Sequence, residues 1–308
     1  MDKKFKTLQE QVEILKSKGL IVEDFDECVN VLLRENYFFI NGYRHLLMKS
    51  FSDRTFVVGS TFRELYSLFL FDRSLRNIIF KNMLIVENNM KSIISYLLSK
   101  KYGYHERDYL NAKNFTNDPA KAKKVKDLIN KMKRQIRVNS LQHSATMHYI
   151  TNYGYIPLWV LVKVLSFGVI SDLYSILKPE DKVGIADVYD ISVDQLEGFL
   201  PILSNYRNLC AHEDILYDHR TDKCIDDNIY HYKLNIPKMD DEYIYGKNDI
   251  FAVVLILKYL LTDDEFRLFI KEVSYEIDKL SGVIRSIPIT KVLDRIGFPY
   301  NYMEVLDI

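Results

Sequence analysis

The chain has 308 residues of which 48% are apolar, enough to bury a sizeable core, so an intrinsically disordered polypeptide is excluded. With only 11 glycines and 7 prolines against abundant Leu, Ile, Lys and Glu, a turn-rich β protein is excluded as well, and an all-α or mostly α fold is expected. Formal net charge is zero, so no global field marks a nucleic-acid binder and any electrostatic argument rests on local clusters.

The opening Met1-Asp2-Lys3-Lys4 leads into no apolar leader-like run. From Phe5 to Leu20 the apolar residues Leu8, Val12 and Leu15 recur at helical spacing, and Gly19 supplies a cap, which predicts a first helix. A second helix is predicted from Asp26 to Arg34. Asn36 to Phe51 is aromatic and contains Asn41-Gly42, so it reads as a packed turn region. Thr61 to Lys101 is the longest periodic stretch, with Leu65, Leu68, Phe69, Ile79, Val86 and Ile94 on a 3.6-residue repeat and Gly103 just beyond it. The pattern fits one long helix or two divided near Asp72.

Asp118-Pro119 opens another helix, ending near Asn139, because an Asp cap followed by proline is a helix start signal. It carries Lys121, Lys123, Lys124, Lys126, Lys131, Lys133, Arg134 and Arg137, with Asp127 as the one opposing acid in the helix. Tyr153-Gly154-Tyr155-Ile156-Pro157 is a break, and Leu158 to Leu177 is expected to be an apolar helix that buries Trp159. Ser192-Val193-Asp194-Gln195 forms a capping box, and its helix leads to Arg207 and His212, with a kink or division expected at Pro201. Glu213 to Gly246 is acidic and irregular, with alternation at Ile229 to Ile236 that suggests a small hairpin. Helical patterning resumes from Asp249 to Leu280. The apolar stretches Ile156–Ile170 and Ile250–Leu261 fall short of the roughly 20 residues of a membrane span, so buried helices and no membrane partner are expected.

Cys28, Cys210 and Cys224 are odd in number and lack metal-type spacing, which fits a reducing, cytoplasmic setting. Metal binding has no sequence support: His143 and His148, or Cys210 and His212, lack the spacing of zinc motifs. No phosphate-binding glycine loop or nucleophile elbow is present, and no cofactor is expected.

The run Arg207-Asn208-Leu209-Cys210-Ala211-His212 combines the two side chains that metal-free RNA cleavage requires. Histidine can move protons near neutral pH, and the arginine fork can donate to two phosphate oxygens. Five positions along a helix rotate by about 140° and rise about 7.5 Å, so Arg207 and His212 diverge. A composite site, with two copies about a two-fold axis, would bring paired side chains to one phosphate. Asn208 is placed to fix the histidine or a phosphate oxygen. Arg137 and His143 form a second, wider pair that could instead act as another half-site within one chain. An arginine and a histidine five apart are equally compatible with a solvated helix end, so the spacing alone leaves the function open.

The wider pattern resembles the Abi-like proteins of bacterial abortive-infection systems, in the AbiD/AbiF group. The similarity lies in Ile156-Pro157-Leu158-Trp159, Ser166-Phe167-Gly168, Leu173-Tyr174 and Tyr206 to His212, in that order. It extends to Asn36-Tyr37-Phe38, Gly42-Tyr43, His148-Tyr149 and Ile296-Gly297-Phe298-Pro299. The resemblance implies a HEPN-type helical bundle and a metal-independent endoribonuclease of anti-phage defence or toxin–antitoxin control. Arg207 and His212 fall on its catalytic pair. Where the family continues with a polar residue toward a Trp-Asn pair, this chain has Glu213-Asp214-Ile215-Leu216-Tyr217-Asp218, adding negative charge.

On this basis the expected organisation is an N-terminal helical region over 1–55, a HEPN-like core over 56–281 with a small irregular or hairpin insertion near 213–246, and a C-terminal segment over 282–308 packed on the core. The expected partners are RNA, a second copy in a homodimer, and an antitoxin protein or RNA. Lys123, Lys124, Lys133, Arg134 and Arg137 are the expected RNA-binding residues, since cations that neutralise phosphates release counterions. A non-catalytic RNA-binding or scaffold protein is the alternative, and a toxin acting by protein contact is a third.

Overall fold

The computed structural model describes residues 4–50, 52 and 54–308. The opening Met1-Asp2-Lys3 and Phe51, the last residue of the expected turn region, lie outside the described residues. The fold is mostly α, as the composition requires.

Helix α1 (Leu8–Ser17) starts in a capping box in which Thr7 and Glu10 exchange hydrogen bonds, and Gly19 follows it at φ +88°. Asp24 caps α2 (Phe25–Glu35), and the packed turn region is a short α3 (Tyr37–Asn41) running into a 3-10 turn (Gly42–Leu47). Helix α4 (Phe62–Tyr102) is a single unbroken rod of 41 residues, about 60 Å long. Of the two readings, one helix or two divided near Asp72, the single helix is the one that forms. That carboxylate is fully buried and accepts hydrogen bonds from the Tyr43 hydroxyl, the Arg76 guanidinium and the amides of Leu216 and Tyr217, so its charge is satisfied within the helix's packed face.

Beyond α5 (Glu106–Tyr109), Asp118-Pro119 opens a 3-10 turn that becomes α6 (Ala122–Asn139), and α7 (Ser144–Tyr153) ends on Gly154 in the left-handed region. The apolar run after Pro157 is not one helix. It divides into α8 (Leu158–Leu161), a 3-10 turn and α9 (Phe167–Ser175), because the backbone turns extended at Leu165 and Ser166. Trp159 is consequently 42% exposed rather than buried.

Helix α10 (Pro179–Ala186) precedes α11 (Val193–Ala211), which begins in the predicted Ser192–Gln195 capping box. Pro201 sits inside α11 without dividing it. The hairpin lies later than the alternating pattern suggested: Ile229 to Lys233 is a short α12, and the strands are β1 (Lys238–Met239) and β2 (Glu242–Tyr243). Asp240 and Asp241 both take positive φ, the requirement of a tight two-residue hairpin turn.

The centre of the molecule is α13 (Ile250–Leu260), whose residues from Ile250 to Leu257 are wholly inaccessible to solvent. Each of its Ile, Val, Leu and Phe side chains contributes about 1.5–3 kcal/mol of burial. Helix α4 packs along α14 (Asp263–Ser281), α11, α13, α8 and α10. The last helix, α15 (Ile289–Ile296), ends at Gly297 with φ +84°, where an added Cβ would stand 2.3 Å from the Asp249 carboxyl. The C-terminal segment is tied to the start of α4 by Glu64, which accepts from the amides of Arg285 and Ser286 at 2.6 and 2.7 Å. The buried apolar side chains form one cluster running from Val12 to Val305. Among the described residues, no helix is long and apolar enough to cross a membrane.

Candidate functional site

The sequence motif occupies the last turn of α11, and its side chains separate as the helical spacing demands. Arg207 faces α4, with Nε 3.0 Å from the Glu87 carboxylate and its guanidinium 5.6 Å from the centre of the Phe80 ring. Glu87 is itself almost fully buried and pairs with Lys91 one turn on at 2.7 Å, so Arg207, Glu87 and Lys91 form one charged chain. Arg207 keeps a quarter of its side chain in solvent. It is therefore both held by a carboxylate and open to a ligand.

Asn208 and His212 lie on the exposed side of α11, and among the described residues neither side chain makes a hydrogen bond. His212 is the residue on which the helix ends, and its amide closes the last turn onto the Asn208 carbonyl at 3.0 Å. Glu213 follows at φ +57° and turns the chain away. Glu213 and Asp214 are exposed, which puts two acidic side chains beside His212. The structure thus brings Asn208 and His212 to one face and leaves Arg207 on another.

What fixes the end of α11 lies elsewhere in the sequence. Arg76 donates to the Asp214 carbonyl, and Asp72 holds the Leu216 and Tyr217 amides, so α4 grips the segment after the motif by its backbone. Burial pushes the Asp72 carboxyl up, opposed by the Arg76 charge and by its hydrogen-bond donors. Tyr206, fully buried, donates to the carbonyls of His219 and Asn248 and pins the far side of the same loop. Cys210 is packed inside and burial pushes its thiol up to about 12, so it is inert packing rather than a nucleophile.

Spacing along the chain singled out none of Arg76, Glu87 and Lys91, and marked Asp72 only as a point where the long helix could divide. Their only signal is charge recurring four apart on the buried stripe of a long helix. His219 was missed as well. Its Nε2 lies 2.6 Å from Asn205 Oδ1, on the helix face next to Asn208, and its pKa is lowered by burial and by Arg220.

The basic helix α6 buries Val125, Leu128, Ile129 and Met132 and turns its cations outward. Lys124 pairs with Asp172 at 2.9 Å, and Lys121 reaches Glu197 at 3.5 Å. Lys123, Lys126, Lys131, Lys133, Arg134 and Arg137 are exposed and, among the described residues, form no ion pair. A groove of about 400 Å³ separates α6 from α11, lined by Lys121, Lys124, Ser171, Ser204 and Lys223. Gly168 lets α9 approach α11 at the floor of this groove, where a Cβ would stand 3.2 Å from Ser204 Oγ. Ser204 is one turn before Asn208, so the groove leads from the basic helix toward the motif. Arg137 and His143, the second pair, sit at either end of the turn between α6 and α7.

Among the described residues, no group of three or more His, Cys, Asp or Glu side chains is placed to hold a metal ion. A family model described as Abi-like protein matches residues 30–218, a span that contains α4, the basic helix, the motif and all of the groove's lining but Lys223. No curated protein and no solved structure matches the chain.

Proposed function

The chain belongs to the Abi-like protein family, which ties it to abortive-infection defence, and on that premise we propose that it is a HEPN-type, metal-independent endoribonuclease acting as a homodimeric toxin. The observation that carries this reading is the end of α11: an arginine oriented by a buried carboxylate, with an uncommitted asparagine and histidine one face away, one turn beyond Ser204 of the groove that runs to the basic helix. His212 accepts the proton of the RNA 2′-hydroxyl, the oxygen attacks the adjacent phosphorus, and the 5′-oxygen departs with a proton given by the protonated His212 of the second copy. Arg207 stabilises the charge that gathers on the phosphoryl oxygens, and Asn208 orients one of them. The products are a 2′,3′-cyclic phosphate and a 5′-hydroxyl.

Divergence of Arg207 and His212 means that one copy presents half a site. A second copy is supported by apolar side chains near the motif: Leu33, Phe38 and Phe39 are exposed, and the loop after the motif reaches the same neighbourhood, where Ile215 packs on Gly42 and Tyr217 on Tyr43. The test is growth of cells expressing the wild type or His212→Ala, with total RNA examined for breaks and the purified protein assayed with and without EDTA. Growth arrest and RNA breakage that vanish together in the variant and persist in chelator support the assignment. Equal arrest by both proteins without RNA breakage defeats it.

The unpaired cations of α6 favour one other reading, an RNA-binding scaffold without catalysis. It requires that Arg207→Ala and His212→Ala leave the cellular phenotype intact while loss of charge at Lys123, Lys133, Arg134 and Arg137 removes it.

A further inference from the structure

Away from the motif, the structure gathers aromatic rings that are scattered in the sequence. Tyr104 follows the end of α4, Tyr149 and Tyr153 lie on α7, Tyr155 on the loop after it, and Trp159 on α8. Ring centres are 5.6 Å apart for Tyr104 and Tyr155, 6.3 Å for Tyr104 and Trp159, 6.4 Å for Tyr153 and Tyr155, and 5.3 Å for Tyr149 and Tyr153. Tyr104, Tyr153 and Trp159 are 46%, 57% and 42% exposed, so this is a surface and not an edge of the core.

The backbone beneath the rings is fixed. The Tyr109 hydroxyl donates to the Ile156 carbonyl at 2.6 Å, and the Ile156 amide donates to the Glu106 carboxylate. The surroundings are cationic. Lys163 is exposed one turn beyond Trp159, Arg107 is exposed beside Tyr104, and α7 follows directly from the end of α6 that carries Arg134 and Arg137. Of the nearby acids, Glu106 accepts from the Ile156 amide and Asp108 pairs with His105 and Arg107 at 3.5 and 3.7 Å, so Lys163, Arg134 and Arg137 are the cations that, among the described residues, form no ion pair.

Rigid, exposed rings flanked by cations suit a ligand with flat π faces and a polyanionic backbone. We propose that this surface is a stacking platform for unpaired bases of single-stranded RNA. The choice of RNA rests on the ribonuclease reading, whereas the stacking does not. Tyr102, at the end of α4, is fifteen positions from Glu87, about 22 Å along the helix, so platform and phosphate site would hold different stretches of one strand.

Trp159 is the only tryptophan, so its emission reports on the platform alone. The experiment titrates full-length His212→Ala protein with a single-stranded oligoadenylate, and separately with a fully paired RNA duplex, reading tryptophan fluorescence. The expected result is quenching by the single strand and not by the duplex. In the same background, with affinity read from the anisotropy of a dye-labelled single strand, Tyr153→Ala and Trp159→Ala should each weaken binding about tenfold, and Trp159→Phe should preserve it. Single-strand binding that leaves the emission and the alanine variants' affinity unchanged overturns the platform while the nuclease assignment stands. Quenching by RNA in a wild type that never cleaves RNA upholds the platform and overturns the nuclease. Absence of any RNA binding, as for a surface that docks a protein, overturns the platform.

Discussion

At the scale of single residues, the site is governed by charges that the core has taken in. Asp72 accepts four hydrogen bonds inside the protein, and an amide in its place would present two donors to donors and leave Arg76 buried without a counter-charge. Asp72→Asn should therefore cost roughly 3–5 kcal/mol of stability, read by urea denaturation. His231 is buried with Nε2 2.9 Å from the Gly246 carbonyl and Nδ1 accepting from the Asn228 amide, so it is held neutral, and burial lowers its pKa. A histidine lowered on folding contributes stability that is complete above its unfolded value of about 6.5 and is lost as pH falls toward the folded one. Asp249 acts with the opposite sign, because burial pushes its carboxyl to about 6 and stability then falls as pH rises through the interval from 3.8. Wild type and His231→Gln compared from about pH 7.5 to 5.5 separate the two effects, with a smaller acid loss expected in the variant.

At the scale of elements, α6 and α11 were legible because their signals are local: a cap, an apolar stripe, a run of cations. The partners of Arg207 were not, since Glu87 lies 120 positions away and a carboxylate on a buried stripe reads as an interruption until its partner is known. Asp72 shows the same blindness from the other side, a candidate point of division that is an anchor. Trp159 was misplaced because an apolar run was taken as one helix, whereas the extended backbone at Leu165 and Ser166 ends α8 early and leaves its outer face uncovered. The hairpin was displaced because eight alternating residues cannot by themselves separate a strand from one helical turn. The exposed cations of α6 carry a prediction of their own. Replacing Lys133, Arg134 and Arg137 by Glu should weaken RNA binding and reduce the salt slope of log K by about two, measured by titration at several salt concentrations.

At the scale of the whole molecule, the proposed composite site would make two defective chains useful to one another. Arg207→Ala and His212→Ala are each expected to be inactive, and co-expression should restore part of the RNA cleavage if one phosphate draws its arginine and histidine from different copies. Absence of restoration, with a monomer in sedimentation, would count against the dimer. The grip of Asp72 on the loop after the motif has a further consequence, in the exchange of amide protons with solvent. Surface loops ordinarily exchange through small local openings. The amides of Leu216 and Tyr217 are bonded to a buried carboxylate on the central rod, so their protons should exchange as slowly as those of α13, while the Glu213 amide exchanges quickly. Two slow positions four and five residues past His212 would mean that the end of the motif cannot loosen unless the whole fold opens with it.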